Sequence, residues 1–312
     1  MPQPVRRTAA IAAVSVAAIV VAGCTATGNG ATPVSGGPHL TVVAPLGSMA
    51  PLPEAPPDEP PAAFTGLSAR QIEATRQAEA AGAEITSAVL DRNTGTLVTN
   101  GNDMPIAIAS VVKMFIADDL LLQVADGQAE LSAQDRRSLD VMLRSSDDSA
   151  AEVFWNRSGG TAIIDRIVER YDLSSTSRPA DGRWFNTMST ATDLVRYYDM
   201  LLSGTGGLPA EQVDLIIGDL SASTPTAPDG MVPGGVYPQR FGIPEGLPDE
   251  AVAVKQGWMC CIGADWLHLS TGVIGTDRRY VMVIGSMQAA GDDEARRTIT
   301  DAVRTMFPDG RI

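Results

Sequence analysis

The sequence predicts a mixed α/β domain: one antiparallel sheet of five strands flanked by helices, with an all-helical block as a second subdomain. Three observations lead there. Two strand-like segments joined by a turn stand early in the domain, a run of helical patterns follows, and three strand-like segments precede one last helix. Antiparallel neighbours need only tight turns, so strands from both ends can share one sheet around a helical insertion.

Taken in order, Ala69 to Ala81 alternates apolar and charged residues at helical spacing. Glu84 to Leu90 and Thr96 to Thr99 read as strands, with Asp91-Arg92-Asn93-Thr94-Gly95 as the hairpin turn. Pro105 precedes an apolar run, and Ser110 to Val124 reads as a helix apolar nearly all round, the pattern of a buried central helix. Ser132-Ala133-Gln134-Asp135 approximates a capping box, with Asp in place of Glu, and opens a helix to about Arg144. Shorter helices are expected at Ser149 to Trp155 and Thr161 to Tyr171. Asp172 to Thr190 shows no periodicity, and helices return at Thr192 to Leu202 and Pro209 to Leu220. Ala251 to Lys255, Asp265 to Ile274 and Tyr280 to Met287 are strand-like, with Gly275-Thr276-Asp277 as a tight turn. Asp292 to Met306 is an amphipathic helix.

The domain is preceded by two segments of different character. Arg6 and Arg7 head an apolar run, Thr8 to Val21, which ends at Val21-Ala22-Gly23-Cys24. That run is shorter than the roughly 20 residues a membrane-spanning helix needs, and it reads as an export signal over residues 1–23. Small residues leading into a cysteine resemble a bacterial lipobox, which implies cleavage before Cys24 and lipidation of its sulfur. The expected location is then the extracytoplasmic face of the cell membrane. Residues 24–63 read as a tether, with nine prolines between Pro33 and Pro61 and too little apolar surface to fold. Residues 64–312 form the domain that carries the chemistry.

Composition removes several functions. A net charge of −14 argues against a nucleic-acid partner. Of two histidines, His39 lies in the tether and only His268 in the domain. A multi-histidine metal site is therefore impossible, and any Ser-His-Asp triad would rest on His268 alone. No metal, no cofactor and a monomer are expected. With Cys24 lipidated, Cys260 and Cys261 are left. Adjacent Cα atoms sit about 3.8 Å apart, closer than a disulfide prefers, so two packed thiols are the plainer expectation and a vicinal disulfide the alternative.

Lysine is the informative residue. Only Lys113 and Lys255 occur, against 21 arginines. Guanidinium stays protonated, whereas a buried ε-ammonium can lose its proton, so these two are candidates for proton transfer. Lys113 ends Ser110-Val111-Val112-Lys113, which puts serine and lysine on one helix face. A neutral lysine can then activate the serine hydroxyl, and the helix start adds the positive end of its dipole. Ser146-Asp147-Asp148 follows between two helices, and Lys255-Gln256-Gly257 ends an apolar strand.

Together, in this order and context, these three motifs resemble the signatures S-x-x-K, S-D-N and K-T-G of the penicillin-recognising serine enzymes, class A β-lactamases most closely. The resemblance spans about Ser68 to Met306 and includes Ala150-Ala151 and Gly246-Leu247-Pro248-Asp249. It implies a β-lactamase-like fold and a serine hydrolase acylated by β-lactams or by D-Ala-D-Ala-like peptidoglycan stem peptides. It assigns Ser110 as nucleophile, Lys113 as its base, Ser146 as proton relay and Lys255 as a source of positive potential. The oxyanion hole would be the backbone N–H groups of Ser110 and Trp258, beside Gly257. Departures are equally plain. Asp148 stands where the family has Asn, and Gln256 where it has Thr or Ser, its amide still able to reach a carboxylate. Arg240 could grip a substrate carboxylate, although a surface role is the plainer reading. The family's deacylating glutamate has no counterpart, since Asp181 is the only acid inside the irregular stretch after Asp172. A catalytically reduced binding or structural lipoprotein of the same fold is the competing expectation.

Overall fold

The computed structural model describes residues 61–312. The leader, Cys24, His39 and the tether as far as residue 60 lie outside the described residues. Elements follow in the order α1 (Leu67–Ala80), β1 (Ala83–Asp91), β2 (Thr96–Thr99), β3 (Ile106–Ala107), α2 (Lys113–Ala125), α3 (Ala133–Arg144), α4 (Asp148–Arg157) and α5 (Ala162–Tyr171). Next come β4 (Met188–Ser189), α6 (Ala191–Ser203), α7 (Ala210–Ser221), β5 (Thr226–Pro228), β6 (Val236–Pro238) and α8 (Ile243–Gly246). The chain ends with β7 (Val252–Ile262), β8 (Asp265–Ile274), β9 (Tyr280–Gln288) and α9 (Asp292–Met306).

The sheet runs β2-β1-β9-β8-β7, antiparallel throughout, so strands from both ends of the domain do share it. Both of its faces are covered, which explains why the strands read as continuous apolar runs. Alternation sorts their side chains between two cores. Val281 and Val283 join α2 on one face, while Met282 and Ile284 join α1 and α9 on the other. β7 is the edge strand and continues to Ile262, beyond the expected end at Lys255, because Trp258 and Met259 pair with His268 and Leu267 of β8. Two ribbons escaped sequence reading: β3 with β4, and β5 with β6. Each is only two or three residues long, too short to show a period.

Local signals set the helix starts. Ser132 accepts from the Asp135 N–H while Asp135 accepts from the Ser132 N–H, so aspartate closes the capping box of α3. Asp147 caps α4 by accepting from the Ala150 N–H at 2.7 Å. The helix expected from Ser110 starts with a 3-10 turn, Ala109–Val112, which feeds directly into α2.

Helix α2 is buried nearly all round, including two aspartates that its apolar pattern obscured. Asp119 takes a forked pair of hydrogen bonds from Arg166, at 2.6 and 2.7 Å. Asp118 accepts from Arg170 at 2.6 Å, Tyr171 at 2.5 Å and Tyr197 at 3.2 Å, fastening α5 and α6 to the central helix. Asp118→Ala would leave a guanidinium and two hydroxyls without their acceptor. It should cost about 3–5 kcal/mol of stability, the usual loss when one partner of a buried pair is removed. Urea unfolding measures this, and a loss below about 1 kcal/mol, the worth of an exposed pair, would refute the fastening role.

Candidate active site

The turn that carries Ser110 is held in an unusual backbone shape. Ala109, immediately before Ser110, holds φ at 43°, and Ser146 holds φ at 57°. Left-handed backbone costs a non-glycine residue about 1–2 kcal/mol, and such strain concentrates where a side chain must be aimed. Here both outliers aim at one atom. Lys113 Nζ lies 2.8 Å from Ser110 Oγ, 2.6 Å from Ser146 O and 3.1 Å from Ser146 Oγ. From β7, Lys255 Nζ reaches Ser146 Oγ at 2.8 Å. Ser110, Lys113, Ser146 and Lys255 are thus joined by hydrogen bonds across three segments of chain.

Gly257 lets the third segment come close. A Cβ there would stand 2.7 Å from Ile108 O and 3.4 Å from Ser110 N, so only glycine allows β7 to abut the Ser110 turn. Its neighbour Trp258 lines the cleft and stacks on Tyr237 of β6, ring centroids 4.6 Å apart.

Charge in the site is governed by burial. Both lysines are fully enclosed. Desolvation pushes the Lys113 amine below its ordinary value of 10.5, opposed by the Asp148 carboxylate 2.5 Å away. Lys255 is pushed well below the same value, by burial first and by Lys113 second. Two adjacent buried ammonium ions repel, so the pair readily gives up a proton. Asp148, the first residue of α4, is half exposed and is the charged side chain on the cleft wall.

The remaining candidates divide. Gln256 is turned to the other face of β7, where its amide donates to Phe241 O at 2.6 Å, and it does not reach the cleft. Arg240 donates to Ser223 O and Oγ, at 3.1 and 2.7 Å, and lines a separate depression beside Glu250. Asp181 accepts from the Arg183 N–H and from Asn186 Nδ2 and lines the neighbouring groove rather than the cleft that holds Ser110. Cys260 and Cys261 are bonded to each other as a vicinal disulfide across a cis peptide. Cys261 is exposed at the strand edge, so the close packing expected of two thiols is absent.

Two cleft walls were not foreseen. The irregular stretch after Asp172 lays the Trp184 indole over Lys113, 4.8 Å from Nζ to the ring centroid. Glu152, one turn beyond Asp148 on α4, steadies that indole by accepting from its Nε1 at 3.1 Å. The β5–β6 ribbon brings Gly230 and Met231 over the opening, and a Cβ at Gly230 would collide with Asp148 Oδ2. The Asp229-Gly230 and Gly234-Gly235 turn residues were the available signal for a hairpin; nothing in the sequence placed it over the serine. The cleft itself measures about 220 Å³.

No protein-family model matches the chain. A β-lactamase from Chitinophaga pinensis superposes with a TM-score of 0.64 at 15% identity, covering 78% of this chain and 100% of that one. PBP-A superposes with a TM-score of 0.63 at 16% identity, over 81% and 98%. Identities this low establish the fold alone. Proteins of Mycobacterium tuberculosis and Mycobacterium bovis, named LppW and described as candidate lipoproteins, are 60% identical over 260 residues, which is 83% of this chain and 81% of theirs. The chain belongs to the LppW family, built on the fold of the class A β-lactamases and PBP-A.

Proposed function

We propose that this protein is a membrane-anchored serine hydrolase of the penicillin-recognising type, which forms a covalent acyl-enzyme on Ser110. The observation that carries the reading is the 2.8 Å contact between Ser110 Oγ and a fully buried lysine amine whose proton affinity is lowered. Neutral Lys113 takes the hydroxyl proton as Ser110 attacks a carbonyl carbon. Ser146 makes the second transfer. Lys113 and Lys255 both donate to its oxygen, which leaves its own hydrogen free for the departing group, and Lys113 then restores it. The Ser110 and Trp258 N–H groups are the donors assigned to the developing oxyanion.

Anchoring through Cys24 at the extracytoplasmic face is part of the same proposal, supported by the relatives' description as lipoproteins. One observation favours a second reading, a binding protein with reduced catalysis. Asp148 is ion-paired to Lys113, and its negative charge on the cleft wall would repel the carboxylate of a β-lactam or D-Ala-D-Ala-like donor.

A reporter penicillin or a fluorophosphonate separates the two. Intact-mass measurement should show one adduct per chain, mapped to Ser110 and absent from Ser110→Ala. If the parent gains no mass from either reagent after hours, the binding-protein reading replaces the enzymatic one.

A further inference from the structure

We propose that the acyl donor for Ser110 is a neutral ester whose apolar acyl chain lies in the groove adjoining the cleft. This rests on the acyl-enzyme reading above and gives it a substrate class. The groove has a volume of about 520 Å³, within the range of small-molecule sites, roughly 300–1,000 Å³. Its apolar walls are Ile106, Ala107, Met188, Ile262 and Met287, from the β3–β4 ribbon, the end of β7 and β9, and Ser177, Arg178, Asp181 and Asn186 add a polar side. Three segments pass from cleft to groove. Ala109 lines the first and Ala107 the second; likewise Phe185 and Asn186, and Cys260 and Ile262.

Charge decides what such a site accepts. A donor that carries a carboxylate needs a cation or a free amide to hold it, since an unpaired anion is costly to desolvate. Arg240 and Gln256 are spent on Ser223 and Phe241, and both lysines lie under the floor. The charge facing the cleft is Asp148, which repels an anion. At the rim of the groove, Arg178 is paired with Asp165 at 2.6 Å, and Asp181 is held by Asn186 at 2.8 Å. What the groove offers a substrate without breaking one of these pairs is mostly apolar surface.

The reaction balances without a co-reactant. Ser110 Oγ bonds to the ester carbonyl carbon and the bond to the alcohol oxygen breaks. The serine proton moves to Lys113 and, through Ser146, to the departing alkoxide. The product is an acyl-serine with its chain in the groove.

The full chain, held in nanodiscs, is first treated with a fluorophosphonate to establish that Ser110 reacts. On a separate, unlabelled sample the initial burst of p-nitrophenolate is timed for the acetate, butanoate and octanoate esters. The octanoate burst should be faster than the acetate burst by about tenfold or more, the scale on which apolar pockets sort chain lengths. Ile262→Glu, at a half-exposed position, should collapse that ratio, and Ser177→Trp, which fills the groove from its exposed rim, should do so independently. If Ser110 is labelled but acetate reacts as fast as octanoate, or neither variant alters the ratio, the ester inference is overturned and the acyl-enzyme survives. Absence of both labelling and burst overturns both.

Discussion

Lys113→Met should slow acylation of Ser110 by about 100- to 10,000-fold, the usual contribution of a positioned base. Methionine matches the length of the buried stem and keeps the core filled, but it has no lone pair placed to take the Ser110 proton. The remaining amine, Lys255, reaches Ser146 and not Ser110, so it cannot substitute directly. The pH dependence checks the assignment separately. Burial holds the Lys113 amine below 10.5, and only its neutral form accepts a proton. The parent's acylation rate should therefore rise with pH through a titration below that value, and the limb should vanish in Lys113→Met. Thermal melts of parent and variant separate a folding defect from a chemical one. Labelling of a folded Lys113→Met at the parental rate would remove lysine from the mechanism.

What the sequence could and could not disclose follows from the range of each interaction. Ser110 and Lys113 are three residues apart, and helical spacing alone brings them together. The sheet was readable because its strands are long enough to carry a pattern and end in recognisable turns. Ser146 and Lys255 could be placed only through the motif order, since the contact between them spans 109 residues. Gln256 shows a signal that was present and overlooked. Side chains alternate along a strand, so a residue next to the inward Lys255 points to the opposite face. The two cleft walls were beyond reach. Trp184 sits in a stretch without period, held by a contact to Glu152 on another element. The β5–β6 ribbon is specified by where it packs. Its Tyr237 donates to Asp292 of α9 and lies 2.6 Å from His268 Nε2, which fixes the ribbon against the sheet. That network is also what occupies the domain's one histidine.

The acyl-enzyme, once formed, should persist. Acylation and deacylation are separate steps, and the second needs a base aimed at water beside the acyl-ester. In the class A β-lactamases that the three motifs resemble, a glutamate in the stretch corresponding to residues 172–190 is that base. Here the loop presents an indole to Lys113, and an indole can neither accept a proton nor order a water by accepting its hydrogen bond. Glu152 is engaged with that same indole, and Asp181 with Asn186. Asp148 is the remaining carboxylate on the cleft wall, and it is tied to Lys113. A penicillin that acylates Ser110 against the repulsion of Asp148 should thus be consumed to no more than one equivalent over minutes, with turnover slower than in a base-assisted enzyme by about 100- to 10,000-fold. Asp148→Asn tests the other half of the argument. The change removes the repulsion of the drug's carboxylate, and it also removes the charge that keeps a proton on Lys113. Both effects have the same sign, so the variant should acylate faster than the parent and release the acyl group no sooner. Stopped-flow consumption and intact-mass decay measure the two rates separately. If the parent instead turns over penicillin rapidly and Asp148→Asn abolishes only that turnover, then Asp148 is the deacylating base and the indole is no barrier to water.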